Sequence, residues 1–365
     1  PVISELEFAH GFIRSRILAI TGTNGKTTTT ELLRAIVESC GHSVALAGNN
    51  ATPASDLALI QDQPPYAVLE VSSYQLEYAH TFRPWIATVL NVTPDHLDWH
   101  GGMDDYVAAK ARIFAAQGTG DHAVVNADDE HTRTMLSGSG ARRLEFSASR
   151  GHASGAWVRG RDIVFGENQI VASLDDIQIP GHHNVENVLA AVTMACAGGF
   201  RDGVRLALRA FKGVEHRIEK VLALNGVTYY NDSKSTNPDS LKVALDSFDA
   251  PIVLIAGGRG KGGDYRDLRD RVRDHVKAIV TIGEDAARIE NAFADIVPAK
   301  RAESMEDAVD AAREFACPGD AVLLSPACAS FDMFDNFEHR GRVFKECVRQ
   351  LSADGAAATT GAAHA

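Results

Sequence analysis

A stretch near the start of the chain has the residue types that bind phosphate groups. The apolar run at 17–20 passes into T-G-T-N-G-K-T, and an amphipathic segment follows at once, which predicts a strand, a tight turn and a helix. Such a turn directs backbone N–H groups and a helix N-terminus at one point. Lys26 adds a positive charge suited to β- and γ-phosphates, and the Thr27 hydroxyl suits Mg²⁺. The predicted contacts to a nucleoside triphosphate are Gly22, Thr23, Asn24, Gly25, Lys26, Thr27 and Thr28.

Charged residues also lie at the ends of later apolar runs or just beyond them. Glu70 lies near the end of the run at 66–71, and a carboxylate there is costly unless it is paired, which favours a metal ligand over a solvated edge residue. The predicted strand at 86–90 leads into N-V-T-P-D-H-L-D, where His96 and its acidic neighbours indicate a metal or substrate contact or, alternatively, a surface loop. Lys110 lies in a helix predicted over 103–116 and by itself indicates only a solvated lysine.

Three polar loops in the second half of the chain follow further predicted strands. They are N-D-S-K-S-T-N at 231–237, G-G-R-G-K-G-G at 257–263 and S-P-A-C-A-S-F-D at 325–332. Because the carboxyl ends of parallel strands meet at one edge of a sheet, we expect the lysines, hydroxyls and glycine N–H groups to converge there. That donor set suits a carboxylate. The alternative is three unrelated loops rich in turn residues.

The order of the apolar runs predicts an α/β protein with two larger domains. The first is a central P-loop ATPase domain with a small antiparallel β appendage, which short β-like pieces between 138 and 178 indicate. Alternation of strands and helices restarts beyond it and predicts a Rossmann-like C-terminal domain. The predicted divisions are 1–14 as a linker or a remnant of a preceding domain, 15–212, 213–352, and a disordered tail at 353–365.

Composition narrows the class of protein. Of the 365 residues, 45% are hydrophobic and 23% are charged, which is typical of a globular protein. The net charge of −12 argues against broad binding to nucleic acid or to anionic membranes. No apolar run in the sequence approaches the length of a membrane span. The five cysteines lack C-x-x-C pairing, so we expect reduced thiols in a cytoplasmic protein, with neither a zinc site nor a disulfide frame.

The motifs resemble those of the Mur ligases. The resemblance extends from residue 15 to residue 350 and is carried by T-G-T-N-G-K-T, the Glu70 strand with S-S-Y-Q-L-E, N-V-T-P-D-H-L-D, A-A-K-A-R-I, N-D-S-K-S-T-N, G-G-R-G-K-G and S-P-A-C-A-S-F-D. Mur ligases have an N-terminal UDP-binding domain, a central ATPase domain and a C-terminal amino-acid-binding domain. The resemblance implies that the first domain is absent here apart from a connecting tail. Two motifs are noted as departures from the family: Gly48-Asn49-Asn50-Ala51 stands where the family usually has G-N-I-G, and Gly181-His182-His183-Asn184 stands where it usually has G-Q-H-N or G-x-H-N.

The resemblance implies roles for individual residues. Two Mg²⁺ ions are expected, one held by Thr27 and Glu70 and the other by His96 and a carbamylated Lys110, whose added group turns a cation into a carboxylate-like ligand. The implied catalytic residues are Lys26, Glu70, His96 and Lys110. Further ATP contacts are expected from Asn184, Asn187, Arg217 and Asp232, with helix capping as the alternative for the two asparagines. The implied contacts to the muramoyl substrate are Asn49, Ser72 and His96, and those to glutamate are Lys234, Thr236, Lys261, Ser330, Phe331 and Phe337.

The implied reaction is ATP-driven amide formation through an acyl phosphate, adding D-glutamate to UDP-N-acetylmuramoyl-L-alanine in peptidoglycan precursor synthesis. Ligases of the family that add a diamino acid carry an acidic-Asn-Pro-Arg motif, and T-N-P-D stands here instead. Two alternatives stay open: an L-glutamate-adding ligase and a nucleotide-binding fragment without ligase activity. A P-loop motor or switch would leave the three C-terminal loops unexplained. The expected partners are small-molecule substrates, with no nucleic acid and no membrane, and the expected state is a monomer.

Overall fold

The computed structural model divides the chain into two compact units, Pro1–Phe211 and Lys212–Ala365. It describes residues 2–49, 52–136, 139–151, 154–260 and 262–361, with 352–361 described by their backbone alone. Each unit has its own six-stranded sheet, with its own helices packed on both faces of that sheet.

The first unit contains a parallel sheet and a smaller antiparallel sheet. The strands of the parallel sheet are β1 (Arg16–Thr21), β2 (Val44–Gly48), β3 (Tyr66–Glu70), β4 (Ile86–Val89), β5 (His122–Asn126) and β6 (Arg142–Phe146). They lie in the order β2-β3-β1-β4-β5-β6. The antiparallel sheet consists of β7 (Ala156–Arg159), β8 (Asp162–Phe165) and β9 (Gln169–Ser173) in sequence order. The predicted antiparallel appendage is therefore confirmed.

Helices cover the parallel sheet because its strands are apolar on both faces. The helices of the unit are α1 (Glu5–His10), α2 (Lys26–Ser39), α3 (Ala54–Leu59), α4 (Ser73–Glu77), α5 (Leu97–His100), α6 (Met103–Ala111), α7 (Glu130–Thr134), α8 (His182–Ala197) and α9 (Val204–Ala210), with 3-10 turns at Arg112–Phe114, Leu174–Asp176 and Arg201–Gly203. Successive β1 side chains point to opposite faces, so Leu18 packs with α2 and α8 whereas Ala19 packs with α1, α3 and α6. The cores on the two faces fix the register of β1.

The second unit contains a mixed sheet. Its strands are β10 (Glu219–Leu224), β11 (Val227–Asn231), β12 (Ile252–Gly257), β13 (Val276–Ile282), β14 (Ala299–Arg301) and β15 (Ala321–Leu324), in the order β10-β11-β15-β12-β13-β14. Only β10 runs antiparallel within this described sheet. Its helices are α10 (Pro238–Leu245), α11 (Arg269–His275), α12 (Ala286–Phe293), α13 (Met305–Phe315) and α14 (Phe337–Gly361), with a 3-10 turn at Tyr265–Leu268.

Two features of this architecture bear on the sequence analysis. The predicted α/β class with a P-loop sheet and a Rossmann-like sheet is confirmed. Helix α14 continues to Gly361, so the backbone is helical over part of the tail for which the sequence analysis expects disorder. That tail is rich in alanine, the residue with the highest intrinsic helix propensity. Residues 362–365 lie outside the described ones. None of the helices in the described part of the chain is long and apolar enough to span a membrane.

Candidate functional site

The phosphate-binding loop joins β1 to α2. In the sheet, β1 lies between β3 on one side and β4 on the other, so the strand order changes direction at β1. In open α/β sheets this is where ligands bind. Gly25 precedes α2 with φ of 84°, a left-handed conformation that glycine adopts without strain. The Lys26 ammonium folds over the loop and donates to the carbonyls of Gly22 and Thr23, at 2.9 and 2.8 Å. The loop thus combines a helix N-terminus with a cation, as the sequence predicts.

Side chains from distant parts of the first unit brace this loop. Asn91, just beyond β4, accepts from the backbone N–H of Asn24 at 2.9 Å and donates to its carbonyl at 3.2 Å. The hydroxyls of Thr23 and Tyr106 are 3.1 Å apart. A Cβ added to Gly25 would lie 2.0 Å from Oδ1 of Asn187, so the α8 amide occupies the space directly against the loop. The loop conformation therefore depends on residues far away in the sequence.

Lys110 is buried beneath the same loop. Its side chain comes from α6, is 2% exposed, and donates from Nζ to the Gly22 carbonyl at 3.0 Å. The ammonium position lies 4.4 Å from the centre of the Tyr106 ring. Burial, reinforced by the nearby Lys26 charge, lowers the pKa of Lys110 to about 6. The sequence of α6 by itself suggests a solvated lysine. In the fold, Lys110 is a buried amine that is neutral at pH 7.

Glu70 ends β3 beside the loop, as predicted. Its Oε1 accepts from the side-chain amide of Asn49 at 3.3 Å, and the residue is 4% exposed. Among the described residues, Oε2 of Glu70 is buried without a hydrogen-bond partner. A Cβ on Gly48, whose φ is 105°, would lie 2.1 Å from the Glu70 carbonyl, so only glycine permits this close approach of β2. Glu70 therefore presents an unpaired carboxylate oxygen, a donor that suits a cation.

His96 and Ser72 lie on the same side of the first unit but differ in their local roles. His96 adopts a left-handed conformation before α5, lies 5.0 Å from the Tyr74 ring and remains partly exposed. Ser72 caps α4 in a capping box, in which its hydroxyl accepts from the N–H of Gln75. Hence Ser72 has a local structural role, whereas the His96 ring is accessible to a ligand.

Asn184 and Asn187 form a hydrogen-bonded pair in the first turns of α8. The amide of Asn187 donates to Oδ1 of Asn184 at 3.0 Å, and that of Asn184 donates to the Pro180 carbonyl at 2.5 Å. Gly181, not an asparagine, occupies the N-cap position. The helix-capping alternative is therefore wrong as the main role of these amides, and Asn187 instead contacts the phosphate-binding loop.

In the second unit the three polar loops lie together at the carboxyl edge of the sheet. Ser325 after β15 donates from Oγ to Asp232 after β11, at 2.8 Å. The backbones of Arg259 and Ala329 exchange hydrogen bonds of 2.9 and 3.0 Å, which joins the glycine-rich loop to the S-P-A-C-A-S-F-D loop. The predicted convergence of the three loops is confirmed.

Arg340 holds two of these loops in place. It is fully buried in α14 and donates to the backbone carbonyls of Ser233, Cys328 and Ala329 at 2.9 to 3.3 Å, and to the Ser233 hydroxyl at 3.0 Å. Burial lowers the pKa of Arg340 to about 10, so the guanidinium keeps its charge at neutral pH. Arg340 is therefore a structural centre of this edge.

Asp232 lies inside the same edge rather than on its surface. It is 4% exposed, and Oδ1 accepts from the backbone N–H of Ile218 at 3.2 Å. Burial raises the pKa of Asp232 to about 7, although the Ser325 hydrogen bond and the Arg217 charge oppose that shift. Arg217 itself is only partly buried.

The predicted glutamate contacts differ in their exposure. Ser330 is buried, Phe331 is 65% exposed, and Thr236 is half-buried. Lys234 places Nζ 5.9 Å from the centre of the Phe337 ring. Lys261 lies outside the described residues, as do Asn50 and Ala51 of the atypical glycine motif.

Sequence reasoning missed three residues that the fold places at these edges: Asn91, Tyr106 and Arg340. Tyr106 precedes Lys110 by one helical turn, and that spacing is a signal that both face the loop. Asn91 follows directly after a predicted strand, where ligand-side residues are expected. Arg340 has no local signal, because its acceptors come from loops far away in the sequence.

Comparison with known proteins agrees with this geometry. Residues 20–195 match the family profile described as the Mur ligase middle domain, and residues 216–328 match the Mur ligase, glutamate ligase domain. The chain belongs to the Mur ligase family and is therefore an ATP-dependent ligase. The resemblance inferred from the motifs is thereby confirmed.

Curated relatives define the branch of the family. The "UDP-N-acetylmuramoylalanine--D-glutamate ligase" of Pelotomaculum thermopropionicum is 47% identical over 362 residues, which cover 96% of this chain and 78% of that relative. The protein of the same name from Acidobacterium capsulatum is 46% identical, covering 98% and 78%.

Solved structures share the fold at low identity. MurF from Acinetobacter baumannii is 19% identical with a TM-score of 0.69, covering 93% of this chain and 78% of that one. Escherichia coli FolC, in a structure with ADP, is 17% identical with a TM-score of 0.66, covering 96% and 95%.

Proposed function

We propose that this chain catalyses ATP-dependent addition of D-glutamate to UDP-N-acetylmuramoyl-L-alanine, in the cytoplasm. The observation that carries the proposal is a phosphate-binding loop flanked by Glu70 and Lys110, in a chain 47% identical to a ligase of that name. The carboxylate of the alanyl group attacks the γ-phosphate of ATP, which forms an acyl phosphate and ADP. The amine of glutamate then attacks the acyl carbon, and the tetrahedral intermediate loses phosphate to leave the amide.

The first unit supplies electrostatic stabilisation for phosphoryl transfer. The Lys26 ammonium lies over the loop, beside the N–H groups at the start of α2. Both would stabilise the negative charge that accumulates on bound phosphates in the transition state. The network of Asn91, Tyr106 and Asn187 holds the loop in shape before the nucleotide binds. This chain's own contribution is therefore positioning and charge.

The donors present fit Mg²⁺. The unpartnered Oε2 of Glu70 and the Thr27 hydroxyl would hold one ion, and His96 with a modified Lys110 would hold a second. Mg²⁺ bound there would neutralise charge on the γ-phosphate. A neutral lysine amine can add to CO₂ to give a carbamate and a proton, and burial keeps Lys110 in that neutral form. Carbamylation is thus chemically consistent with the Lys110 site.

The second unit is proposed to bind the incoming glutamate. Lys234 and the Ser330 segment lie on loops that Arg340 and the Ser325–Asp232 hydrogen bond hold at one edge. Ammonium and N–H donors at that edge suit the two carboxylates of glutamate. In the sequence, Lys261 lies in the glycine-rich loop at 257–263, which is one of the three polar loops.

The test is phosphate release from ATP with UDP-N-acetylmuramoyl-L-alanine, comparing D-glutamate, L-glutamate and no amino acid. We expect release that requires both substrates and prefers D-glutamate by at least about tenfold. A Lys26→Met variant serves as the control and is expected to lose about 100-fold or more in rate. A preference for L-glutamate would change the named substrate, and nucleotide binding without release would contradict the ligase assignment.

A further inference from the structure

The segment that carries Arg217 is a strained turn. His216 and Ile218 on either side of it have φ of 64° and 43°, a region that residues other than glycine rarely adopt, and a β-branched residue least of all. Such a conformation persists only where the surrounding structure imposes it. The contacts that impose it therefore determine the backbone position of Arg217.

Two carboxylates hold the turn from opposite ends. Oε2 of Glu219 accepts from the backbone N–H of His216 and from the side-chain amide of Asn231, both at 3.0 Å. Oδ1 of Asp232 accepts from the N–H of Ile218 at 3.2 Å. Since Asn231 directly precedes Asp232, Glu219 is linked to the turn and also to the strand end that carries Asp232.

Lys345 on α14 satisfies the other oxygen of Glu219. Its Nζ donates to Oε1 of Glu219 at 3.0 Å and to Oε1 of Glu215 at 2.6 Å, and the lysine side chain is 10% exposed. Glu215, His216 and Glu219 have donor atoms within 4.8 Å of one another, a spacing that a metal ion could use. The ammonium already provides the positive charge there, so this cluster is an ion-pair network rather than a metal site.

We propose that Glu219 and Lys345 are positioning residues for nucleotide binding, because together they hold the strained turn that presents Arg217 beside Asp232. The inference rests on the proposed function, and within it on the expectation from the family resemblance that Arg217 and Asp232 contact the nucleotide. Neither Glu219 nor Lys345 is assigned a contact with substrate. Lys345 acts through Glu219, and Glu219 acts through the His216 N–H and the Asn231 amide.

The test distinguishes the contact of Oε1 of Glu219 with Lys345 from the contacts of Oε2 with His216 and Asn231. In Glu219→Gln the amide oxygen can still accept from His216 and Asn231, but the pairing with Lys345 is lost. We therefore expect Glu219→Gln and Lys345→Met to weaken Mg-ADP binding equally, by about fivefold. The double variant should bind Mg-ADP as tightly as either single variant, because both substitutions remove the same interaction. Glu219→Ala also loses the turn contacts and is expected to weaken binding about 20-fold. Lys345→Arg should restore affinity to within about twofold of the parent.

Lys300→Met is the matched control, since Lys300 forms an exposed ion pair of 2.6 Å with Glu314 in the same unit. It should leave Mg-ADP affinity unchanged. Steady-state assays should show the KM for ATP rising in the Glu219 and Lys345 variants while the KM for D-glutamate stays within about twofold. Equal changes in both KM values, or loss of affinity that simply follows the melting temperature, would overturn the inference.

The binding titration does not depend on ligase turnover. A parent protein that binds Mg-ADP but releases no phosphate would contradict the proposed function and still test the positioning role. A parent that binds no nucleotide would overturn both.

Discussion

Lys110 is buried at the carboxyl edge of the parallel sheet in the first unit, and Arg340 is buried at the carboxyl edge of the mixed sheet in the second unit. The surroundings of these two cations differ. Lys110 at the first sheet donates to one backbone carbonyl, that of Gly22, among the described residues. Arg340 at the second sheet donates to three carbonyls and a hydroxyl. The pKa of Lys110 falls to about 6, whereas that of Arg340 falls only to about 10. Comparable burial therefore leaves one cation neutral and the other charged.

Burial lowers the pKa of both groups, and the surroundings decide how far. The Lys26 charge opposes protonation of Lys110, whereas the acidic groups Cys328, Asp332 and Asp232 favour the charge on Arg340, whose ordinary pKa is also higher. The two cations differ as well in the number and geometry of their acceptors. A guanidinium has five donors in a planar fork, which can match several converging carbonyls at once. An ammonium with a single carbonyl acceptor is poorly compensated for its lost hydration, so it releases its proton. A buried guanidinium with several acceptors keeps its charge and holds the loops around it in place. A buried lysine with one acceptor becomes a neutral, reactive amine. The following predictions test that contrast, from the largest expected effect to the smallest.

Removal of Arg340 should have the largest effect on stability. Arg340→Met leaves the carbonyls of Ser233 and Cys328 without their donor, and we expect the free energy of unfolding of the second unit to fall by about 3–5 kcal/mol. Urea titration followed by circular dichroism measures it. Arg340→Lys is the control, and it should recover only part of the loss because it lacks the fork. A loss below about 1 kcal/mol in Arg340→Met would contradict this structural role of Arg340.

Removal of Lys110 should separate activity from stability. Lys110→Met keeps the length of the side chain and removes an amine that is hard to protonate in place, so the free energy of unfolding at pH 7 should rise by about 1–4 kcal/mol. Phosphate release should nevertheless fall by about 100-fold or more. The two measurements are made on the same preparation. A variant that is both less stable and fully active would reverse our interpretation of this site.

The pH dependence of stability should reveal the neutral Lys110. Its folded pKa of about 6 lies below the unfolded value of about 10.5, so the unfolded chain binds more protons between those values. Stability of the parent relative to Lys110→Met should therefore rise with pH across this window, by about 1 kcal/mol per unit between pH 7 and 9. Urea titrations in CO₂-free, Mg²⁺-free buffer measure the slope. A flat difference would place the folded pKa near its ordinary value.

The smallest test extends the contrast to hydroxyl groups. Thr88 and Thr132 are both fully buried, but only Thr132 has an acceptor, the Asn126 carbonyl at 2.7 Å, while the Thr88 hydroxyl has no partner among the described residues. Thr132→Val should cost about 1–2 kcal/mol, whereas Thr88→Val should be neutral or stabilising by up to about 1 kcal/mol. Thermal and urea unfolding compare the two. Equal costs would show that satisfaction of the hydroxyl is not what distinguishes these sites.

Sequence alone determined the local parts of both edges. T-G-T-N-G-K-T predicts its own turn and helix because glycine conformations, a helix N-terminus and a lysine act within a few residues. Glu70 could be singled out because a carboxylate in an apolar strand is costly without a partner. The convergence of the three C-terminal loops could also be foreseen, since parallel strands place their carboxyl ends on one side.

Tertiary structure decided the chemical state of these groups. Asn91 and Tyr106 reach the phosphate loop from 67 and 83 residues away, and Arg340 reaches Ser233 across 107 residues. The helix of Lys110 is locally ordinary, and only its burial beneath the loop makes the amine neutral. The pKa and the hydrogen bonding of a buried group depend on which distant atoms surround it, because desolvation and short-range contacts act through space rather than along the chain.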